Sequence, residues 1–275
     1  MDTIEHRILF VGGGNMAQAI TRGAHDAGAI VSSKMAVLDP DPARRAIFPT
    51  AFADPGEALA WLDRSERTVV VLAVKPQMLG DACAPLREPI ASMSATPLCI
   101  SILAGTTIER IRAAMGGGVR VVRVMPNTPA QVGRAMSAIA PGEDATETDI
   151  AVAKALFGSV GLVEMIDEPM MDAFTAIAGS GPAYLFYLVE ALTSGAETLG
   201  FEPGVARRIV EQTVIGSAAL LEASDEDAAA LRDRVTSKGG TTQAATTTLD
   251  DRLVMDALSA ALRAARDRGL ELGRA

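Results

Sequence analysis

The stretch Gly12-Gly13-Gly14-Asn15-Met16-Ala17 constrains this chain more than any other. It follows a short apolar run, Ile8-Leu9-Phe10-Val11, and opens a helical pattern that runs to about Ala27, with Gly28 suited to cap it. Strand, glycine turn and helix in that order is the setting in which G-x-G-x-x-(G/A) marks a dinucleotide-binding unit. Gly12 permits a tight turn off the strand, Gly14 leaves room for a pyrophosphate, and Ala17 lets the helix pack close to the sheet. The N–H groups of the first helical turn, from Asn15 and Met16 onward, then face an anion. A glycine turn in an unrelated strand–helix unit has the same local pattern, so the rest of the chain must decide.

With 275 residues there is room for two domains, and 49% hydrophobic content suits a well-buried globular chain. A net charge of −9 argues against DNA or RNA as a partner, and the longest basic cluster is the pair Arg44-Arg45. Cys83, Cys99, His6 and His25 form no metal-ligand spacing and no Cys/His nucleophile arrangement, so no metal is expected. Two cysteines fit a reducing cytoplasm, and the first residues carry no secretory signal pattern. The uncharged stretch from Ala173 to Val189 approaches membrane-span length but contains Gly179-Ser180-Gly181-Pro182. A helix buried between subunits explains it better than a membrane span.

The first 166 residues alternate apolar runs with helical segments, which predicts an α/β domain with a mostly parallel, Rossmann-type sheet. Met35–Leu38 reads as the second strand and ends at Asp39, a position that suits the adenosine ribose hydroxyls of NAD; nearby Arg44 suits the 2′-phosphate of NADP. Both cues are present, so NADPH and NADH stay open. Thr68–Ala73 runs into Val74-Lys75-Pro76-Gln77, Leu98–Ile102 into Leu103-Ala104-Gly105, and Val119–Val124 into Met125-Pro126-Asn127-Thr128-Pro129. Ligands of open α/β sheets sit outside the carboxyl ends of the strands. Ala73, Val74, Lys75, Pro76, Ala104, Gly105 and Asn127 therefore join the glycine loop as candidate cofactor contacts. Ala135–Ile139 and Leu162–Met165 read as closing strands with a helix at Thr148–Phe157 between them.

After Glu168-Pro169 the pattern turns helical, so residues 167–275 are expected to form an all-α domain. A long helix from Met171 to Leu199, kinked at Pro182, is followed by helices at Pro203–Ala223 and Leu253–Gly269. Its small residues and uncharged face point to burial against a second copy. Between the last two helices, Gly239-Gly240 precedes hydroxyl residues and a helix start, which is either a seat for a small carboxylate or a plain capped turn.

Taken together, these stretches resemble the pyrroline-5-carboxylate reductases over nearly the whole length. The matching segments are Gly12–Ala17, Ala73–Gln77, Ser101–Gly105, Met125–Pro129, Gly179–Tyr184, and, most specifically, Leu231-Arg232-Asp233 through Thr242. Lys238 departs from the proline of many members, and Asp39-Pro40-Asp41 lacks the clear NADP pattern of some. The resemblance implies reduction of 1-pyrroline-5-carboxylate to L-proline with NADPH or NADH. It also implies a helical dimerisation and substrate-binding domain, and assembly as a homodimer or as a decamer of dimers. It places the substrate carboxylate at Ser237, Gly239, Gly240, Thr241 and Thr242, supplied across the dimer, with Asp225 loosely aligned to an acidic residue of the same region. Thr242 is the expected catalytic donor to the ring nitrogen; Lys75 is a second candidate, with a purely structural role equally open. A β-hydroxyacid dehydrogenase, which uses a helix lysine, and a non-catalytic dinucleotide sensor are the competing readings.

Overall fold

The computed structural model describes residues 4–65 and 67–274. Short, β-branched runs with both faces covered become strands of one sheet: β1 (Arg7–Val11), β2 (Met35–Leu38), β3 (Ala51–Phe52), β4 (Thr68–Leu72), β5 (Leu98–Ser101), β6 (Arg120–Met125), β7 (Ala135–Pro141) and β8 (Gly161–Met165). Their order is β3-β2-β1-β4-β5-β6-β7-β8. All neighbouring pairs are parallel except β6 with β7. The first six follow the doubly wound order, whose direction reverses between β1 and β4. The glycine loop leaves β1 at that reversal. β3, only two residues long, carries too little pattern to be read from sequence.

Between the strands lie α1 (Asn15–Asp26), α2 (Pro42–Arg45), α3 (Pro55–Leu62), α4 (Leu79–Cys83), α5 (Arg87–Ala91), α6 (Ile108–Ala114) and α7 (Glu147–Gly158). Successive side chains of a strand point to opposite faces. Ile8 and Phe10 of β1 accordingly join Ile20, Leu156 and Phe157 on one side of the sheet. Leu9 and Val11 join Leu59, Leu62, Leu86 and Ile111 on the other. Two apolar layers thus hold the loops at the strand ends in place.

The remaining helices are α8 (Met171–Phe174), α9 (Gly181–Thr198), α10 (Pro203–Ala223), α11 (Ala228–Arg234), α12 (Thr241–Asp251) and α13 (Val254–Arg274). The single helix expected from Met171 to Leu199 is instead two, separated by a π-helical turn at Thr175–Gly179 and Ser180. Glycine and proline in Gly179–Pro182 weaken the regular hydrogen-bond ladder there, and the chain takes a wider turn.

By chain contacts the molecule divides into two compact units, Met1–Ser180 with Ala265–Ala275, and Gly181–Ala264. The expected boundary after residue 166 falls within the first. In the second unit α9 pairs with α10, yet among the described residues only Ala206 and Val210 of this unit are buried. Leu185, Phe186, Tyr187, Leu192, Ile215 and Leu220 stand exposed, and a groove of about 490 Å³ runs between the two helices beside Leu192, Leu199 and Ile209. An apolar face of this extent marks an interaction surface. No helix among the described residues is long and apolar enough to cross a membrane.

Candidate active site

The glycine loop is built by the ends of β2 and β4. Gly12 N donates to Leu38 O and Ala73 N to Val11 O, each at 2.9 Å. Gly12 turns with φ +103°, and a Cβ there would lie 2.7 Å from the Ala73 carbonyl oxygen, so only glycine passes. Gly14 is different: a Cβ on it would meet no protein atom within 4 Å. That open space lies over the first turn of α1, where Gly14 is the N-cap and no side chain closes the helix. The N–H groups of Asn15, Met16 and Ala17 have no intrahelical acceptors. A glycine cradle and an uncapped helix start fit a pyrophosphate.

Polar side chains then tie the loop down. Gln18 Nε2 donates to Gly13 O at 3.0 Å, and Gly13 N donates to Asp39 Oδ2 at 2.8 Å. Asp39, expected to hold ribose hydroxyls, is 2% exposed, and its other oxygen accepts from Asp41 N at 2.9 Å. Arg44 and Arg45 diverge. Arg45 Nη1 donates to the carbonyls of Asp39 and Pro40 at 2.8 Å each, whereas the Arg44 side chain is 54% exposed.

The other strand ends are placed as follows. Ala73 abuts Gly12, and Val74 follows it toward the same turn, its Cγ1 3.1 Å from a Cβ on Gly12. Lys75 is exposed, held extended before Pro76, which opens a short 3-10 turn closed by Met78 N to Lys75 O at 2.8 Å. Ala104 is exposed, but Gly105 is buried beneath the last turns of α13, where Leu272 Cβ lies 3.3 Å from the position of a Cβ on Gly105. Asn127 is almost fully buried: its Oδ1 accepts from Met136 N and its Nδ2 donates to Ala178 O, both at 3.0 Å. The loop after β4 therefore adjoins the glycine cradle, while the side chain of Asn127 serves the π-helical turn.

In the second unit, Ser237–Gly240 forms a tight turn before α12. Gly240 N donates to Ser237 O at 3.0 Å, Gly239 adopts φ +72°, and Gln243 Oε1 reaches back to accept from Gly239 N at 2.6 Å. The N-cap is Gly240, again without a side-chain cap, so the first-turn amides from Thr241 and Thr242 stay open beside the hydroxyls of the same residues. Asp225 lies exposed in the loop before α11, where Asp227 caps the helix by accepting from Ala230 N at 2.8 Å.

One group in the first unit escaped the sequence reading. Arg123 of β6 is 3% exposed and pairs with Glu168 at 3.3 Å and Asp172 at 3.6 Å. The same Glu168 carboxylate accepts from Ile108 N at 2.6 Å, joining β6, α6 and the start of α8. The signal was available, since an arginine in a strand covered on both faces has to be paired. The thiols offer no nucleophile: burial pushes Cys83 up to about 11, and Cys99 still higher.

A doubly wound sheet with an uncapped glycine cradle at its reversal, joined to a helical unit that leaves its apolar face unburied, defines a dinucleotide-dependent oxidoreductase class with an assembly domain. Two family models match the chain: "NADP oxidoreductase coenzyme F420-dependent" over residues 7–105 and "Pyrroline-5-carboxylate reductase dimerisation" over residues 168–272. A pyrroline-5-carboxylate reductase from Synechocystis is 37% identical over 268 residues, covering 96% of this chain and 97% of the relative. The structure of a pyrroline-5-carboxylate reductase from Coxiella burnetii superposes with a TM-score of 0.87 at 32% identity, covering 98% of this chain and 99% of the other. That of the Plasmodium falciparum enzyme, solved with NADP bound, gives 0.85 at 26% identity, covering 98% and 99%. The chain belongs to the pyrroline-5-carboxylate reductase family, and its second unit is an oligomerising one.

Proposed function

We infer that this chain reduces 1-pyrroline-5-carboxylate to L-proline with NAD(P)H. The observation that carries the reading is the pair of anion seats, each a glycine turn ahead of an uncapped helix: Gly12–Ala17 in the first unit and Ser237–Thr242 in the second. The first suits a pyrophosphate and the second a small carboxylate. Bound NAD(P)H supplies the hydride that adds to the ring carbon of the C=N bond.

The chain's own residues bind and orient. Gly12 and Gly14 clear the space for the cofactor, the amides of Asn15, Met16 and Ala17 hold its phosphates, and the loop Ala73–Pro76 with Ala104 and Gly105 lines the remainder. Ser237, Gly239, Gly240 and Thr241 hold the substrate carboxylate through N–H groups and hydroxyls. The Thr242 hydroxyl donates to the ring nitrogen, which gains a proton as the carbon gains hydride. Lys75, exposed and extended, holds the shape of the loop after β4. The only lysine of the second unit, Lys238, is in a loop, so the helix lysine of a β-hydroxyacid dehydrogenase has no counterpart there.

We assign the exposed faces of α9 and α10 to a homodimer, with the 237–242 loop serving the cradle of the partner subunit, and dimers joining further into a decamer. Two free, buried thiols suit the reducing cytoplasm to which we assign the protein.

The test follows NAD(P)H absorbance with 1-pyrroline-5-carboxylate and, in parallel, with 3-hydroxyacids and NAD(P)+. Turnover is expected only with the cyclic imine, and Thr242→Ala should lower kcat by about tenfold or more while leaving cofactor affinity unchanged. Oxidation of hydroxyacids, or an undiminished rate in Thr242→Ala, would overturn the assignment.

A further inference from the structure

We propose that the last two turns of α13 are a backstop for the Ala104–Gly105 segment at the end of β5, and that Arg110, which ties those turns down, is a positioning residue for dinucleotide binding. The proposal rests on the reading of Ala104 and Gly105 as lining the cofactor crevice.

The segment after β5 presents one residue outward: Ala104 is exposed, while Leu103, Gly105 and Thr106 around it are buried. Thr106 Oγ1 donates to Ala104 O at 3.3 Å, and Gly105 turns left-handed at φ +63°. Thr107 then caps α6 by accepting from Arg110 N at 3.3 Å. Glu168 accepts from Ile108 N at 2.6 Å. These bonds fix the start of α6; the support behind Gly105 comes from α13.

Residues 265–275 belong to the same compact unit as this segment. Gly269 and Gly273 share one face of α13, a helical turn apart. A Cβ on Gly273 would lie 3.3 Å from Gly105 O, and one on Gly269 would lie 3.2 Å from Asp172 Oδ1, a carboxylate paired with buried Arg123. Seen from the loop, a Cβ on Gly105 would lie 3.6 Å from Gly269 O and 3.8 Å from Gly273 N. The helix backbone is therefore seated directly against the turn, and the turn cannot retreat from a ligand that presses on Ala104.

Arg110 closes the arrangement. The last carbonyls of an α-helix have no donors within it, and that end of the dipole favours a cation. Arg110 Nη1 donates to Leu272 O at 3.3 Å and to Gly273 O at 3.2 Å. It stands in the first turn of α6, so one short stretch of chain supplies both the turn that α13 covers and the cation that holds α13 there. The Arg110 side chain is exposed, so removing it costs little global stability while releasing the seat behind Gly105.

Titration of the full chain with NADPH and with NADH in the absence of imine, followed by cofactor fluorescence, tests this without reference to turnover. Arg110→Met keeps the stem and removes the donors. It should weaken both dinucleotides by about fivefold, with the imine KM unchanged and Tm within about 2 °C of the unaltered protein. Arg110→Lys should recover most of the affinity, and Gly273→Val, which presses on Gly105 O, should lose it again. Hydrogen exchange in Arg110→Met should quicken over residues 101–107 and 265–274. Unchanged affinity in both Arg110→Met and Gly273→Val, or a loss that merely follows a fall in Tm, would overturn the proposal. Ala104→Trp separates it from the reading beneath it. Normal dinucleotide binding by Ala104→Trp would show that Ala104 does not line the crevice, and the reading would fall with the proposal. Loss of binding in Ala104→Trp beside normal binding in Arg110→Met would remove the backstop alone.

Discussion

The side-chain amide of Asn127 donates to the carbonyl of Ala178 at 3.0 Å, and that carbonyl lies four residues before Pro182. Proline has no N–H, so the i+4 donor that an α-helix would offer Ala178 O is absent. A side chain from the end of β6 donates to that carbonyl instead, and its other end accepts from Met136 N. Asn127→Asp keeps the acceptor and loses the donor to a half-buried carbonyl, at a cost of about 1–3 kcal/mol. Pro182→Ala restores a helical N–H, so the loss should shrink in the double variant. Urea denaturation of the four proteins measures the coupling; additive losses would refute it.

Gly12 and Gly14 separate folding from binding. Gly12→Ala places a Cβ 2.7 Å from the Ala73 carbonyl in a left-handed conformation and should lower Tm by several degrees. Gly14→Ala places its Cβ in open space at φ −70°, so the fold should persist with Tm nearly unchanged. Its dinucleotide affinity should nonetheless fall tenfold or more, because the side chain fills the room over the open amides of α1. Differential scanning fluorimetry with and without cofactor distinguishes the two.

Asp149 gives an acid dependence. Burial by itself raises its carboxyl, but hydrogen bonds from Arg120 and from the Thr146 backbone and hydroxyl outweigh that and leave it lowered from the ordinary 3.8. Arg120 holds it at 2.7 and 3.0 Å, and with Thr146 it forms the capping box of α7. A carboxylate more acidic in the folded state stabilises fully above its unfolded pKa, and the contribution is lost as pH falls through the folded value. Stability should therefore decline below about pH 4. Asp149→Asn should be about 2–3 kcal/mol less stable at pH 7, with a flatter acid limb in pH-dependent chemical denaturation.

The groove between α9 and α10 predicts the effect of a charge there. Leu192→Asp puts a carboxylate on the exposed apolar face, where burial against a second copy costs several kcal/mol. Sedimentation should show a smaller species than the unaltered protein gives, and imine turnover should fall with it. An unchanged sedimentation coefficient would remove this face from the assembly interface.

What could be read along the chain was what local pattern carries. Apolar runs of strand length predicted seven of the strands, the spacing Gly12-x-Gly14-x-x-Ala17 predicted the glycine turn into α1, and Gly239-Gly240 ahead of hydroxyls predicted the glycine turn into α12. Each depends on residues within a few positions of one another, where turn chemistry and side-chain period act directly. The partner of a buried polar group is another matter, since it is whatever the fold brings beside it. Asp39 ends β2, and the packing of β1 beside β2 sets the Gly13 amide against its carboxylate, 26 residues away. Arg123 had to be paired, yet only the tertiary structure chose Glu168 and Asp172. Asn127 likewise found the carbonyl that Pro182 leaves open, 51 residues on. Periodicity determines which face of an element is buried, while the desolvation of polar groups on that face determines what must meet there, and that meeting exists only in the folded chain.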